Sequence, residues 1–147
     1  MDRISLLKKV NLFSGLNETE IESIAGYCVE RSFNEGEMIL RQGISGVGLY
    51  IIISGKVKIV KRTSTGENVD MAELGPGDFF GEMTVLDNAP RSASVVAVQN
   101  SKCFVLSAWD FKARMALHPE IALKILPVVV KRFRETNDML LTLSPRP

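Results

Sequence analysis

A chain of 147 residues with 46% hydrophobic and 24% charged side chains can bury the core of one compact domain and is too apolar for a disordered one. Its net charge of +1 denies it the basic field by which a general nucleic-acid binder attracts phosphates. Two distant cysteines, Cys28 and Cys103, and a single histidine, His118, offer no metal-ligand set and no hydrolytic triad, which argues against an enzyme and against a bound metal.

At the N-terminus, "MDRISLLKKV" interrupts its apolar residues with charges, unlike a signal peptide. No stretch approaches the roughly 18 apolar residues of a membrane span, so a cytoplasmic location is expected. "LNETEIESIAGY" places Asn17 as an N-cap with Glu20 three residues on. Ile21, Ile24 and Ala25 follow at helical spacing, which predicts a helix to about Tyr27. From Cys28 to Leu106 the pattern changes to short segments rich in Val, Ile and Phe with glycine punctuation. "EMILR", "VGLYIIIS", "KVKIVKR", "NVDMAEL", "SASVVAV" and "KCFVLS" read as strands. "SGK" at 54–56 and "TSTGEN" at 63–68 read as hairpin turns, and "GPGD" at 75–78 as a further tight turn. Within "KVKIVKR", Val57, Ile59 and Lys61 alternate with Lys58, Val60 and Arg62, the pattern of a half-buried strand.

Helix returns after Ser107, which with Asp110 resembles a capping box before "FKARMAL". "HPEIALKILPVVVKRFRETNDMLLTL" predicts a longer helix with Pro119 near its start. Ala122, Leu126, Val129, Phe133, Thr136, Leu140 and Leu143 form a heptad seam with one polar member, Thr136. Pro127 is expected to kink this helix near Leu123, Arg132 reads as a solvated charge with contact to the ligand or to Glu82 as the alternative, His118 as structural, and the tail "SPRP" as frayed. The expected fold is mainly β: an antiparallel β-roll or jelly roll with N-terminal helices and two C-terminal helices. It forms a single domain over 1–147, with helices in 1–27, the roll in 28–107 and helices again in 108–143.

One stretch, "FFGEMTVLDNAPRSAS", carries chemistry. Gly81 permits close approach of a ligand, and a short helix beginning here would turn free N–H groups toward an anion. Glu82 can accept hydrogen bonds from a sugar hydroxyl. Pro90 fixes the entry to the next strand, Arg91 offers a planar cation matched to phosphate, and Ser92 adds a hydroxyl. The bland alternative is a surface ion pair between Glu82 and Arg91.

The run "FGEMTVLDNAPRSASVVA" resembles the phosphate-binding cassette of cyclic nucleotide-binding domains, with Phe80, Gly81, Glu82, Leu86, Pro90, Arg91, Ser92 and Ala93 in matching order. "GLYIIISGKVKIV" and "LGPGDFFGE" are similar to that family's strand pair and its approach to the cassette. The resemblance implies that Gly81, Glu82 and Met83 hold ribose and phosphate, that Arg91 pairs with the cyclic phosphate, and that Ser92 and Ala93 assist. It places the base between Ile59, Met71 and the last helix, where Thr136 and Asn137 are candidate lid residues. Departures are Thr84 in place of a small apolar residue, Pro127 within the last helix, and the absence of an acid in the turn of "GISGVGLY".

The implied function is a regulatory sensor of a cyclic nucleoside monophosphate, cyclic AMP favoured over cyclic GMP, signalling through the C-terminal helix. A homodimer through Ala122–Leu143 is expected, because an apolar seam not covered by the roll needs a partner. No recognition helix follows the long helix, so no DNA binding by this chain itself is expected. The alternative is a degenerate β-roll that has lost its ligand and serves only as a dimerisation or interaction module.

Overall fold

In the computed structural model, which describes residues 2–44, 48–87 and 89–143, the chain opens with α1 (Arg3–Lys8), a 3-10 turn (Asn11–Phe13) and α2 (Glu18–Ala25). Eight strands follow: β1 (Val29–Phe33), β2 (Met38–Leu40), β3 (Gly48–Ser54), β4 (Val57–Arg62), β5 (Asn68–Leu74), β6 (Phe79–Phe80), β7 (Ser94–Ala97) and β8 (Ser101–Ser107). A single helical turn, α3 (Thr84–Asp87), interrupts them between β6 and β7, and α4 (Ala108–Leu117) and α5 (Pro119–Leu143) close the chain. The strands make two antiparallel four-stranded sheets, ordered β1-β8-β3-β6 and β2-β7-β4-β5. The expected mainly β roll with flanking helices is the observed fold.

The unbroken apolar run of β3 has a physical cause. Leu49 and Ile51 point into one core, built with α1, α2, α4 and the first half of α5. Tyr50 and Ile52 point into a second core between the sheets, with Val57, Phe80, Val95 and Val105. A strand buried on both faces has no polar side to show.

The helix boundaries follow their caps. Asn17 and Glu20 form the reciprocal capping box on α2, with Asn17 Oδ1 accepting from the Glu20 N–H at 2.9 Å and Glu20 Oε1 from the Asn17 N–H at 2.9 Å. Ser107 Oγ accepts from the Asp110 N–H at 3.0 Å to start α4. His118 ends α4 and sets its Nδ1 3.2 Å from Glu120 Oε1. Both cysteines are free and buried, and burial raises their thiols to about 11 for Cys28 and about 12 for Cys103. Among the described residues, no helix is long and apolar enough to cross a membrane.

Several expectations are corrected. "SGK" is not a hairpin turn: the turn at Gly55 carries the chain from one sheet into the other, since β3 pairs with β6 and β8 and β4 with β5 and β7. β1, "VERSF", has no place in the strand reading because four of its five residues are exposed and it shows no alternation. β6 is two residues long, below the length at which periodicity registers. α5 runs unbroken as one helical element through Pro127. The turn at 45–47 and the tail at 144–147 lie outside the described residues.

The first half of α5 is pinned to the body. Ile121 and Ile125 are buried, and Lys124 Nζ lies 2.8 Å from Glu20 Oε1. That hydrogen bond is the largest influence holding the Glu20 carboxyl below its ordinary value of 4.5, against the desolvation that opposes it. A carboxyl lowered in the folded state stabilises above the unfolded value and loses that contribution as pH falls through the folded one. Lys124→Ala should therefore melt earlier than wild type at neutral pH, and the gap should close as pH drops below 4.5, followed by thermal denaturation at both pH values.

Candidate functional site

The site begins where β6 ends. Phe80 is buried and stacks on Tyr50 with ring centroids 5.0 Å apart, which anchors the backbone entering the turn. Gly81 then adopts a φ of 81°, and a Cβ there would collide with the Gly48 carbonyl oxygen and with Arg91 Nη1. Only glycine meets both demands. α3 starts three residues later, with the Thr84 N–H donating to the Gly81 carbonyl at 3.1 Å and Val85 wholly buried beneath it. The short helix thus begins later than the sequence implies, and one of its first donors is used within the turn.

Arg91 is 9% exposed. Its Nη2 donates to the Gly48 carbonyl at 2.7 Å, and its Nε is buried without a partner. Burial lowers its pKa from the ordinary value, while Tyr50 and Asp87 pull it back. Its backbone is held by the neighbouring loop: its N–H donates to the Ile44 carbonyl at 3.1 Å, and its carbonyl accepts from the Gly43 N–H at 2.8 Å. Among the described residues no carboxylate lies within ion-pair distance of it.

Glu82 does not pair with Arg91. Its Oε1 lies 2.8 Å from Arg132 Nη2 on α5, and its Oε2 is buried with no partner among the described residues. Arg132 also donates from Nη1 to Met83 Sδ at 3.4 Å. Of the two readings of Arg132, the solvated charge gives way to the contact with Glu82. The readable signal was its spacing: Arg132 lies seven residues beyond Ile125 and so falls near the face of α5 that Ile121 and Ile125 bury. The heptad seam runs one position over, and Leu126, Phe133, Leu140 and Leu143 along it are exposed, while Val129 packs on the core.

Gly81, Glu82, Met83, Arg91 and Ser92 line one cavity of ≈ 320 Å³, together with Asp87 from α3. Ala93 is half-buried just beyond it. The other predicted contacts stand elsewhere. Ile59 packs against the core between the sheets, and Met71 is exposed on β5. Thr136 gives its hydroxyl to the Arg132 carbonyl at 2.9 Å, and Asn137 is exposed on α5. The structure does not bring these four to the cavity wall. Among the described residues no group of acids, histidines and cysteines is placed to hold a metal ion.

The site's layout, a buried cation and a half-satisfied carboxylate facing one hollow, coincides with a family match. The model of the cyclic nucleotide-binding domain covers residues 30–118. The chain belongs to this family. Over 131 residues it is 36% identical to the cyclic AMP receptor protein of Thermus thermophilus, covering 89% of this chain and 61% of that protein. It is 35% identical over 108 residues to the cAMP-dependent protein kinase regulatory subunit of Dictyostelium discoideum, covering 71% of this chain and 33% of that one. The N-terminal domain of a transcriptional regulator from Streptomyces coelicolor superposes with a TM-score of 0.82 at 28% identity, over 90% of this chain and 95% of that chain. The chain thus spans less than two thirds of these two relatives, one named a receptor protein and the other a regulatory subunit.

Gly81→Ala tests the tight turn of this cyclic nucleotide-binding domain. The added methyl meets a backbone oxygen that cannot swing away, so the variant should lose about 1–3 kcal/mol of stability in urea denaturation. Wild-type stability would show that the turn has room to spare.

Proposed function

We propose that the domain is a sensor for a cyclic nucleoside monophosphate, cyclic AMP ahead of cyclic GMP, and that α5 reports occupancy. The observation that carries this reading is the pair of groups in one hollow left unmet among the described residues: a buried guanidinium with no anion, and a buried Glu82 Oε2 with no donor. A cyclic phosphate supplies the anion, and the ribose hydroxyl supplies the donor. Gly81 and Met83 give the backbone that lets both approach, and Ser92 and Ala93 line the exit from Arg91. The preference for cyclic AMP draws on the relatives named for it.

The cavity lies at the small end of the range for ligand pockets, so the base extends beyond the cassette. Thr136 lies four residues after Arg132, on the same face of α5, and Arg132 already meets the cassette through Glu82. That shared face supports Thr136, and Asn137 beside it, as base contacts once α5 closes, with Ile59 and Met71 on the roll side. Ligand that draws on Glu82 competes with or reinforces the Arg132 pair, and this differential contact would bias the position of α5.

The exposed seam of Leu126, Phe133 and Leu140 supports a homodimer through α5. Changing Leu126 and Phe133 together to Glu should leave a monomer in sedimentation velocity; an undiminished dimer would count against that interface. Titration calorimetry with both cyclic nucleotides tests the sensor itself. Binding should weaken about tenfold to a few hundredfold in Arg91→Ala, as expected for loss of a charged hydrogen bond. No heat and no thermal shift with either nucleotide would favour a ligand-free interaction module instead.

A further inference from the structure

A larger hollow, of ≈ 980 Å³, lies away from the cassette on the outer face of the β2-β7-β4-β5 sheet. Lys58, Val60 and Arg62 face outward there, because the alternate residues Val57 and Ile59 serve the interior core. Met38, Val96 and Lys58 sit side by side across three strands, and Ser94, Val60 and Asp70 make the next row. The floor is therefore an apolar strip of Met38, Val60 and Val96, and Met38 is 43% exposed.

The rim is cationic. Arg41, Lys58 and Arg62 line the groove against one acid, Asp70, which stands 3.9 Å from Lys58. Among the described residues neither Arg41 nor Arg62 has a carboxylate partner. A chain of net charge +1 thus gathers two uncompensated guanidinium groups around one apolar strip. The shape is also held rather than left to chance. Gln42 braces the wall through its side-chain amide, accepting from the Arg62 N–H at 2.7 Å and donating to the Arg62 carbonyl at 3.2 Å. The Gln42 N–H in turn donates to Ser94 Oγ at 2.9 Å, on the strand that follows the cassette.

We propose that this groove docks an extended acidic segment of a partner protein, with its apolar side chains on the Met38–Val60–Val96 strip and its carboxylates on Arg41 and Arg62. Charge complementarity sets the sign of the occupant. The apolar floor favours peptide over nucleic acid: no aromatic ring lines the groove, and base stacking needs one. Three strand spacings of about 4.8 Å accommodate four or five extended residues. The proposal needs no nucleotide at the cassette and stands apart from the sensor reading.

Fluorescence anisotropy with the full chain tests it. The probe is a labelled peptide of about eight residues alternating Glu and Val, and the control replaces each Glu by Lys. The acidic peptide should bind saturably and more weakly as salt rises, and the basic one should not bind. Arg41→Glu with Arg62→Glu should weaken binding by at least about tenfold without lowering the melting temperature, since both side chains are exposed. The milder pair Arg41→Gln with Arg62→Gln should move affinity in the same direction. No saturable binding of the acidic peptide, wild-type affinity in both double variants, or tighter binding of a short single-stranded oligothymidylate would overturn the proposal.

Discussion

A buried guanidinium that no carboxylate among the described residues neutralises is the constraint around which this domain is arranged. Removing a charge from water is costly unless hydrogen bonds or an opposite charge compensate, and the Arg91 side chain at 9% exposure has one hydrogen bond among the described residues, to the Gly48 carbonyl. Everything near it keeps the cation in place. The Tyr50–Phe80 stack fixes the strand before the turn. Gly81 lets the turn pass against the Gly48 carbonyl, and Ile44 and Gly43 grip the Arg91 backbone from the other side. The framework thus bears the cost of orienting the charge, which is the preorganisation that the proposed anion binding would need.

α5 behaves as two segments with different attachments. Its first part is part of the core, through Ile121, Ile125 and the Lys124–Glu20 pair. Beyond Pro127, Arg132 ties it to the cassette while Phe133, Met139, Leu140 and Leu143 are exposed. An ion pair whose arginine is 39% exposed is worth about 0–1 kcal/mol. A contact of that size ties this part of the helix to the cassette only weakly. Pro127 adds to the division, because it removes one backbone donor from the helix between the two parts.

The two faces of the second sheet serve different ends. Its interior face closes the core with Val57 and Val95, and its outer face carries the braced cationic groove. Gln42 and Gly43 belong to the loop that bonds to Arg91 and Ser94, so the groove wall and the Arg91 hollow share one stretch of backbone.

Local chemistry made much of this readable from the sequence. The Asn17 capping box, the Ser107 cap and the strand segments at 57–62 and 68–74 are decided by neighbours a few residues away, and the structure repeats them. The cassette was legible for the same reason, since Gly81, Glu82 and Arg91 lie within eleven residues and "FGE" and "PRSA" keep their order. The tertiary structure alone decided what depends on partners far along the chain. It set Glu82 on Arg132 rather than on Arg91, sent β3 and β4 into different sheets across Gly55, and gave the exposed "VERSF" a strand by pairing it with β8. Those outcomes rest on contacts between residues about fifty or more positions apart or on the packing of whole sheets, and no periodicity in one segment records which distant segment will come to lie against it.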